Sequence, residues 1–506
     1  MTISGVAEYS LTVRPRLLHL VLIAASVTAA AYGQNQGPAP VPCVIGGVNQ
    51  VVSPSGNTAT DTSNIQNAMN ACTTVGTAAG HPVYVQLAPG SYTITPIFMR
   101  SYVYLLIPSG VVVNASTNAS AYQIAGSGTC GTIASSSSGC MPLISAGNNS
   151  QPAANYTGII GSRVVGLMGG TINGHGWDVI TGPTAPSTPT SWWQVATTAN
   201  AEGKKQICPR LIEFDQGQNI VLRDITLEDS PYFHVVFSQC SYVTATDITI
   251  QTPSSLAPSG SGTPYNTDGI DPISSTFISI TNCHITDGDD NIAITAASKG
   301  PSHDITIQNN RFGPGHGISI GSGTNAGVYN IYVKDAFFNG TDNGLRIKSD
   351  DSEGGEVQHI FYDTICMRAI NTGSKSSKNG AINFDTQYSS STGTLYPYYT
   401  DIHLHDVYSD TDSATIAGKA WDNFRLNGAG SPATEPISNV SFYNVNFNEP
   451  KTATVANINP ATIYLYSNSV NVTIPGVTVT PAPSVDPFFN ESANPNIVGY
   501  CQQQNP

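Results

Sequence analysis

The nine residues Asn219-Ile-Val-Leu-Arg-Asp-Ile-Thr-Leu227 return, altered but recognisable, as Tyr242-Val-Thr-Ala-Thr-Asp-Ile-Thr-Ile250. Further copies follow in Phe277-Ile-Ser-Ile-Thr-Asn-Cys-His-Ile285, Asp304-Ile-Thr-Ile-Gln-Asn-Asn-Arg-Phe312 and Asn330-Ile-Tyr-Val-Lys-Asp-Ala-Phe-Phe338. Each copy alternates Ile or Val with other residues, meets a polar corner, and resumes as a second short strand. Period-2 alternation marks a strand with one buried face. The copies recur at roughly 23 to 30 residues, the range of solenoids and arrays. No helix-length pattern separates them, which excludes βαβ units. A β-propeller is the nearest alternative, but each of its blades needs about 40 residues. The expected architecture is therefore all-β: coils of a single chain stacked into a right-handed parallel β-helix.

Outward from these core coils, placed at about 160–450, the segments differ. Asp61 to Cys72 reads as one short helix with Ile65, Met69 and Cys72 on a single face, and is expected to cap the open N-terminal end of the solenoid. Pro82-Val-Tyr-Val-Gln-Leu87 alternates as a strand and meets a turn at Pro89-Gly90. Residues 122–160 are rich in Gly, Ser and Asn and read as a long loop within an N-terminal cap region of about 43–160. Coils and a tail complete the chain over about 450–506.

At the start, Arg14 and Arg16 precede an apolar run from Leu17 to Ala31, and Ala31-Tyr32-Gly33 offers small residues for cleavage before Gln34. The run is shorter than the about 20 residues of a membrane span. Residues 1–33 are expected to be a secretion signal, and 34–506 a secreted protein, extracellular or periplasmic, with no membrane association. Nine cysteines in an exported chain point to disulfides. Cys130 with Cys140 encloses a short Gly/Ser loop, Cys208 with Cys240 is a second pairing, and the odd count leaves a free thiol, for which Cys283 is the choice. There is no CxxC pair, so no zinc or other metal site is expected. Sequons occur at Asn114, Asn339 and Asn439.

Of 506 residues only 10% are charged, against roughly 25% in ordinary domains. The formal charge is −14, with no basic face of the kind nucleic acids require. Against that background four polar motifs stand out: Asn266-Thr-Asp-Gly269, Gly288-Asp-Asp290, Gly315-His-Gly317 and Arg346-Ile-Lys348. They fall at matching places in consecutive repeats. Equivalent positions of stacked coils lie about 4.8 Å apart, so the motifs converge on one patch of three carboxylates, an imidazole and two cations. Arg346 and Lys348 stand two apart on a strand and project to one face, where an Arg fork and a Lys point charge suit a carboxylate ligand. Crowded carboxylates cannot all ionise, which is how one is kept as a proton donor.

These motifs, in this order, resemble those of the polygalacturonases of glycoside hydrolase family 28. The likeness is good over roughly 160–410, includes Gly169-Gly-Thr-Ile-Asn-Gly174 and Ser230-Pro231, and is nearest the bacterial members through Asn266-Thr-Asp-Gly-Ile-Asp-Pro272 and Gly315-His-Gly-Ile-Ser-Ile-Gly-Ser322. The resemblance implies a pectin-lyase-like β-helix and hydrolysis of the α-1,4-galacturonosidic bonds of polygalacturonic acid or pectin by inversion. It implies Asp289 as general acid, Asp268 and Asp290 holding and deprotonating the water, and His316 assisting. It places Arg346, Lys348, Tyr388 and Asn266 on the substrate. Inversion implies a carboxyl separation of roughly 6.5–9.5 Å. No cofactor is implied, and a monomer acting on a polysaccharide in endo fashion is expected.

Asp289 and Asp290 can share a site only if Gly288 makes a bend, because neighbouring strand residues face opposite ways. Asp271 and Asp287 read as turn or scaffold acids, and His284, His303 and His359 as structural. Trp192 and Trp193, in a loop at 178–206, suit sugar stacking and loop anchoring equally. Exo-cleavage and rhamnogalacturonan hydrolysis stay open as alternatives, as does a calcium-dependent pectate lyase. From another class, a non-catalytic carbohydrate-binding or adhesive solenoid would keep the Ile ladders but need no stacked acids.

Overall fold

The computed structural model describes residues 39–504 apart from 148–150, 163–168, 298, 372–378, 390–391, 411–423, 429–435, 449–450, 453, 457 and 468–471. The expected signal, 1–33, lies outside the described residues.

Strands of successive coils pair in parallel and in register, forming one sheet of 21 strands and a second of 11. The chain is a parallel β-helix, and the propeller alternative falls because each strand pairs with its counterpart one coil away. In the larger sheet the alternating residues stack as ladders: Ile220, Val243, Ile278, Ile305, Ile331, Ile360 and Ile402 occupy one register. All are buried, and each such side chain contributes about 1.5–3 kcal/mol relative to exposure.

The polar corners are left-handed residues. Asp224, Asp247, Asn282, Asn309, Asp335, Asp406 and Asn444 all have φ between +50° and +58°. Asn and Asp adopt this conformation at little penalty because their short polar side chains bond locally. The recurring Asx of the sequence repeat is thus the residue that re-aims the chain, between two strands at Asp224, Asp247 and Asn282 and within one strand at Asn309, Asp335, Asp406 and Asn444.

The 11-stranded sheet carries the site. Its successive strands include Ile212–Asp215, Val235–Ser238, Ile270–Ile273, Ile292–Ile294, Ile318–Ile320, Leu345–Lys348, Ile382–Asp385 and Phe424–Asn427. Its edge strand, Ile97–Phe98, is covered by the N-terminal helix, where Gln66 accepts from the Phe98 N–H at 2.8 Å and donates to its carbonyl at 3.0 Å. That side chain does for the edge what a further strand would do.

The N-terminal helix is longer than the expected 61–72, running Thr58–Ala79 from an Asn57 N-cap to a left-handed Gly80. Asp61 bonds back to Ser55 rather than starting the helix. It is not the only helix. Trp192–Ala201 forms a second, opened by a Ser191/Gln194 capping box, and Ile497–Gln503 a third. Residues 122–160 are not one loop: they hold the strands Thr132–Ala134 and Ile144–Ala146 and most of Asn155–Ser162. Strands of three residues are too short to show alternation.

Cys130–Cys140 forms as expected, joined by Cys43–Cys72 and Cys366–Cys501. The Cys208–Cys240 pairing is wrong: both are buried free thiols, as is Cys283. Cys208 precedes the strand Ile212–Asp215, whereas Cys240 follows Val235–Ser238, so the two lie at opposite ends of neighbouring rungs.

Candidate active site

The carboxylates stand on the turns that enter the smaller sheet. Asp268 lies two residues before the strand at Ile270, Asp290 two before Ile292, and His316 two before Ile318. Arg346 and Lys348 differ: they lie within the next strand, where Arg346 pairs in register with Ser319. Three motifs therefore occupy equivalent places, and the fourth reaches back to them from further along its rung.

Glycines make the turns possible. Gly288 sits in a bend where an added Cβ would come 2.1 Å from the Pro264 carbonyl oxygen. The bend turns Asp289 and Asp290 to the same side, meeting the requirement set by the sequence. Gly317 has φ +78°, and a Cβ there would approach the Asn343 carbonyl oxygen to 2.1 Å.

Asp290 is the most enclosed of the group, its side chain 3% exposed. Arg346 Nη2 and Ser319 Oγ donate to its Oδ1, the latter at 3.0 Å, and Lys348 Nζ donates to Oδ2 at 2.8 Å. Ser319 in turn accepts from Arg346 Nε at 2.8 Å. Asp289 is more open. His316 Nδ1 lies 3.0 Å from its Oδ1, and Asn266 donates to Oδ2 through its backbone N–H and Nδ2 at 3.3 and 3.2 Å. His316 Nε2 is 3.5 Å from Asp342, and its side chain keeps 33% exposure. Tyr388 is 43% exposed, its ring centroid 5.0 Å from Lys348 Nζ.

The structure thus gathers Asp268, Asp289, Asp290, His316, Arg346 and Lys348 around one turn column, with Asn266 and Tyr388 at its rim. Asn266 holds Asp289 directly. Arg346 and Lys348 have Asp290 as their first partner, a pairing invisible in the sequence. Ser319 and Asp342 were likewise missed, although Ser319 lies in the quoted Gly315–Ser322 motif. Trp192 and Trp193 are anchors, each 1% exposed. The Trp193 indole N–H donates to the Ser230 carbonyl at 2.9 Å, and Trp192 meets Tyr122 edge to face.

Four buried carboxyls, of Asp268, Asp271, Asp287 and Asp290, and the half-buried Asp289 share this volume, and their titration shifts in opposite directions. Burial, then the charges of Asp289, Asp271, Asp290 and Asp287, push Asp268 well above the ordinary range. Burial and Asp290 push Asp271 up as well, with Arg210 opposing. Asp287 rises through burial, opposed by its hydrogen bond from the Asp289 N–H. For Asp289 burial acts upward too, but the His316 charge and hydrogen bond, with Lys348 and Arg346, outweigh it and hold the carboxyl low. Asp290 is held low in the same way by Arg346 and Lys348. His316 is raised: Asp289 and Asp290 overcome the burial that would lower it. The same cluster thus pushes some carboxyls towards the neutral acid and others towards the ionised form, the kind of separation acid–base chemistry draws on. Ligand atoms of Asp289, Asp290 and His316 lie within 4.8 Å of one another, close enough to share a cation. Arg346 and Lys348 already bring positive charge to both Asp290 oxygens.

The sequence profile of Glycosyl hydrolases family 28 matches residues 107–480. The chain is 36% identical over 406 residues to an endo-polygalacturonase of Pectobacterium carotovorum subsp. carotovorum, covering 79% of this chain and 88% of that one. It is 36% identical over 430 residues to a polygalacturonase of Ralstonia solanacearum, covering 78% and 75%. Among solved structures, a polygalacturonase from Erwinia carotovora ssp. carotovora superposes with a TM-score of 0.67 at 33% identity, covering 84% of this chain and 97% of that one.

Proposed function

This chain belongs to the glycosyl hydrolases of family 28 and hydrolyses polygalacturonic acid, and on that premise we propose a division of labour among its site residues. Asp289 is the general acid, Asp268 and Asp290 hold the attacking water, and His316 shares the acid's proton. The observation that carries this reading is the Gly288 bend. It presents two adjacent carboxyls to one cleft, one paired to His316 and the other to Arg346 and Lys348.

Asp289 and His316 hold one proton between them across 3.0 Å and titrate as a pair. By the charges and burial of the chain alone that proton favours the imidazole, because Asp289 is held low and His316 raised. A bound galacturonan excludes water and brings its own carboxylate. Both changes disfavour the ionised Asp289 and move the proton onto it. From there it passes to the departing glycosidic oxygen as the sugar–oxygen bond breaks. Water attacks the opposite face of the sugar and gives up a proton. Asp290, kept ionised by its two cations, receives it, while Asp268 orients the water. Inversion follows from this single displacement, and solvent returns the proton to the acid side. Substrate carboxylates bind beside Lys348, whose ammonium has three donors and gives one to Asp290, under the Tyr388 ring.

Endo-cleavage is supported by the Pectobacterium relative, itself an endo-polygalacturonase. Export through the N-terminal signal is supported by three disulfides. Among the described residues no helix is long and apolar enough to cross a membrane. The test combines products with one variant. Early digests of polygalacturonic acid should show a ladder of oligomers, and Asp289→Asn should bind the polymer without cutting it. Monomer or dimer alone at early times overturns endo action. An Asp289→Asn enzyme with substantial turnover overturns the assignment of the acid.

A further inference from the structure

Ser230-Pro-Tyr-Phe-His234 enters the rung before the one that carries Asp268, and the mechanism above leaves it unused. We propose that His234 is a positioning residue for the reaction: its neutral ring grips the backbone of the turn that presents Asp268, without touching substrate. The inference rests on the role proposed for Asp268.

Asp268 is buried, and its Oδ1 has no hydrogen-bond partner. That oxygen is therefore aimed by the backbone that carries it. His234 holds this backbone twice. Its N–H donates to the Asp268 carbonyl at 2.8 Å. Its Nδ1 lies 3.0 Å from the Thr267 carbonyl oxygen and 3.1 Å from that of Asp268. Carbonyl oxygens only accept, so Nδ1 must carry the hydrogen.

The other ring nitrogen is held as well. Nε2 lies 2.8 Å from Thr252 Oγ1, and the same hydroxyl oxygen accepts the Asp229 N–H at 2.8 Å. The hydroxyl keeps both a lone pair and its own hydrogen for Nε2, so Thr252 fixes the position of the ring, while the tautomer is set at Nδ1 by the two carbonyls. Burial disfavours the charge, lowering this imidazole to about 4.

The chain of contacts continues outward. The Asp229 carboxyl accepts from the Ser254 N–H at 2.7 Å, from Ser254 Oγ at 2.6 Å and from the Trp177 indole at 2.9 Å. Every donor in this line has an acceptor, and the line ends at the two peptides next to the Asp268 side chain. A buried, fully satisfied network fixes one arrangement. A displacement of about 1 Å at a reacting group costs roughly 10²-fold in rate, so loss of this grip should appear in kcat.

The test is kinetic. His234→Leu removes the ring donor, whereas His234→Asn places an amide N–H near the Nδ1 position. The expected result is a fall in kcat of roughly 10²-fold for His234→Leu, little change in KM, and recovery of most of the turnover in His234→Asn. Equal losses in both variants, or wild-type kcat in His234→Leu, overturn the proposal. Should His234→Leu not fold, Thr252→Val against Thr252→Ser replaces it. Thr252→Val should lose turnover and Thr252→Ser keep it, and equal activities of the two overturn the proposal. Asp268→Asn is measured alongside. If it retains turnover, the reading of the site has failed. If it is inactive while His234→Leu is active, only the inference about His234 has failed.

Discussion

Among the described residues, two regions bring acids and a histidine within 4.8 Å of one another: Asp289, Asp290 and His316 in the cleft, and Asp363, His405 and Glu491 on the outside of the larger sheet. Their inventories are alike and their settings are not. In the second region His405 is fully buried beneath the C-terminal segment, with Asp486 at 3.0 Å and Asp406 at 3.4 Å. Its ring stacks on Tyr443 and packs against Phe489. Lys334 takes the centre, 2.6 Å from Asp363 and 3.8 Å from Glu491. There the histidine is sealed and Lys334 bridges the acids, and the cluster fastens the tail to the coils. In the cleft, by contrast, the cations go to Asp290 alone, leaving Asp289 and a partly exposed His316 to a ligand. Proximity of an acid to a histidine does not make a site. Access to the pair does: the His316 side chain is 33% exposed and that of His405 0%.

The sharpest way to break this comparison is to remove one acid from each cluster. Asp289→Asn should lower kcat by about 10²–10⁴-fold, the range for a general acid, whereas Glu491→Gln should leave it unchanged. Reducing-end assays on oligogalacturonates of defined length measure both.

Next in size is Arg346→Gln. It leaves the buried Asp290 with one cation, and breaking such a pair costs roughly 3–5 kcal/mol. Urea unfolding should show that loss, and Asp290→Asn combined with Arg346→Gln should recover part of it, although the double variant remains inactive.

The C-terminal fastening is tested by Cys501→Ser. It opens the Cys366–Cys501 bond across a separation of 135 residues and should cost about 2–4 kcal/mol. Reducing-end turnover per folded molecule should stay as it was.

A smaller effect separates the clusters by pH. His405 is raised from an ordinary 6.5 to about 10, burial being outweighed by Asp406 and Asp486. A histidine raised on folding stabilises fully below its unfolded value, and that contribution is lost as pH climbs through about 10. The deficit of His405→Gln in urea midpoint should therefore be greatest near pH 6 and should shrink towards pH 10. A deficit that does not vary with pH would mean that packing, not charge, holds the latch.

The ladders of the larger sheet were legible because a coil buries one face of each short strand, and alternation records that face directly. The Asx corners were legible too, since a left-handed residue at a fixed place selects the same few side chains. The second helix could have been read from Ser191 and Gln194, whose spacing is a capping box. Nothing local marked Cys366 and Cys501 as partners, or Arg346 as the neighbour of Asp290.

What the sequence determined by itself was the repeat, the coil, and the set of acids and cations delivered to one column, because stacking turns period into proximity. Which carboxyl pairs with which cation was decided only by the tertiary structure. Those partners come from different rungs and different points along them, and the choice depends on burial and charge summed over all five acids at once. The ring of His234 shows the same limit: its hydrogen is placed by two carbonyls that only the folded chain brings together.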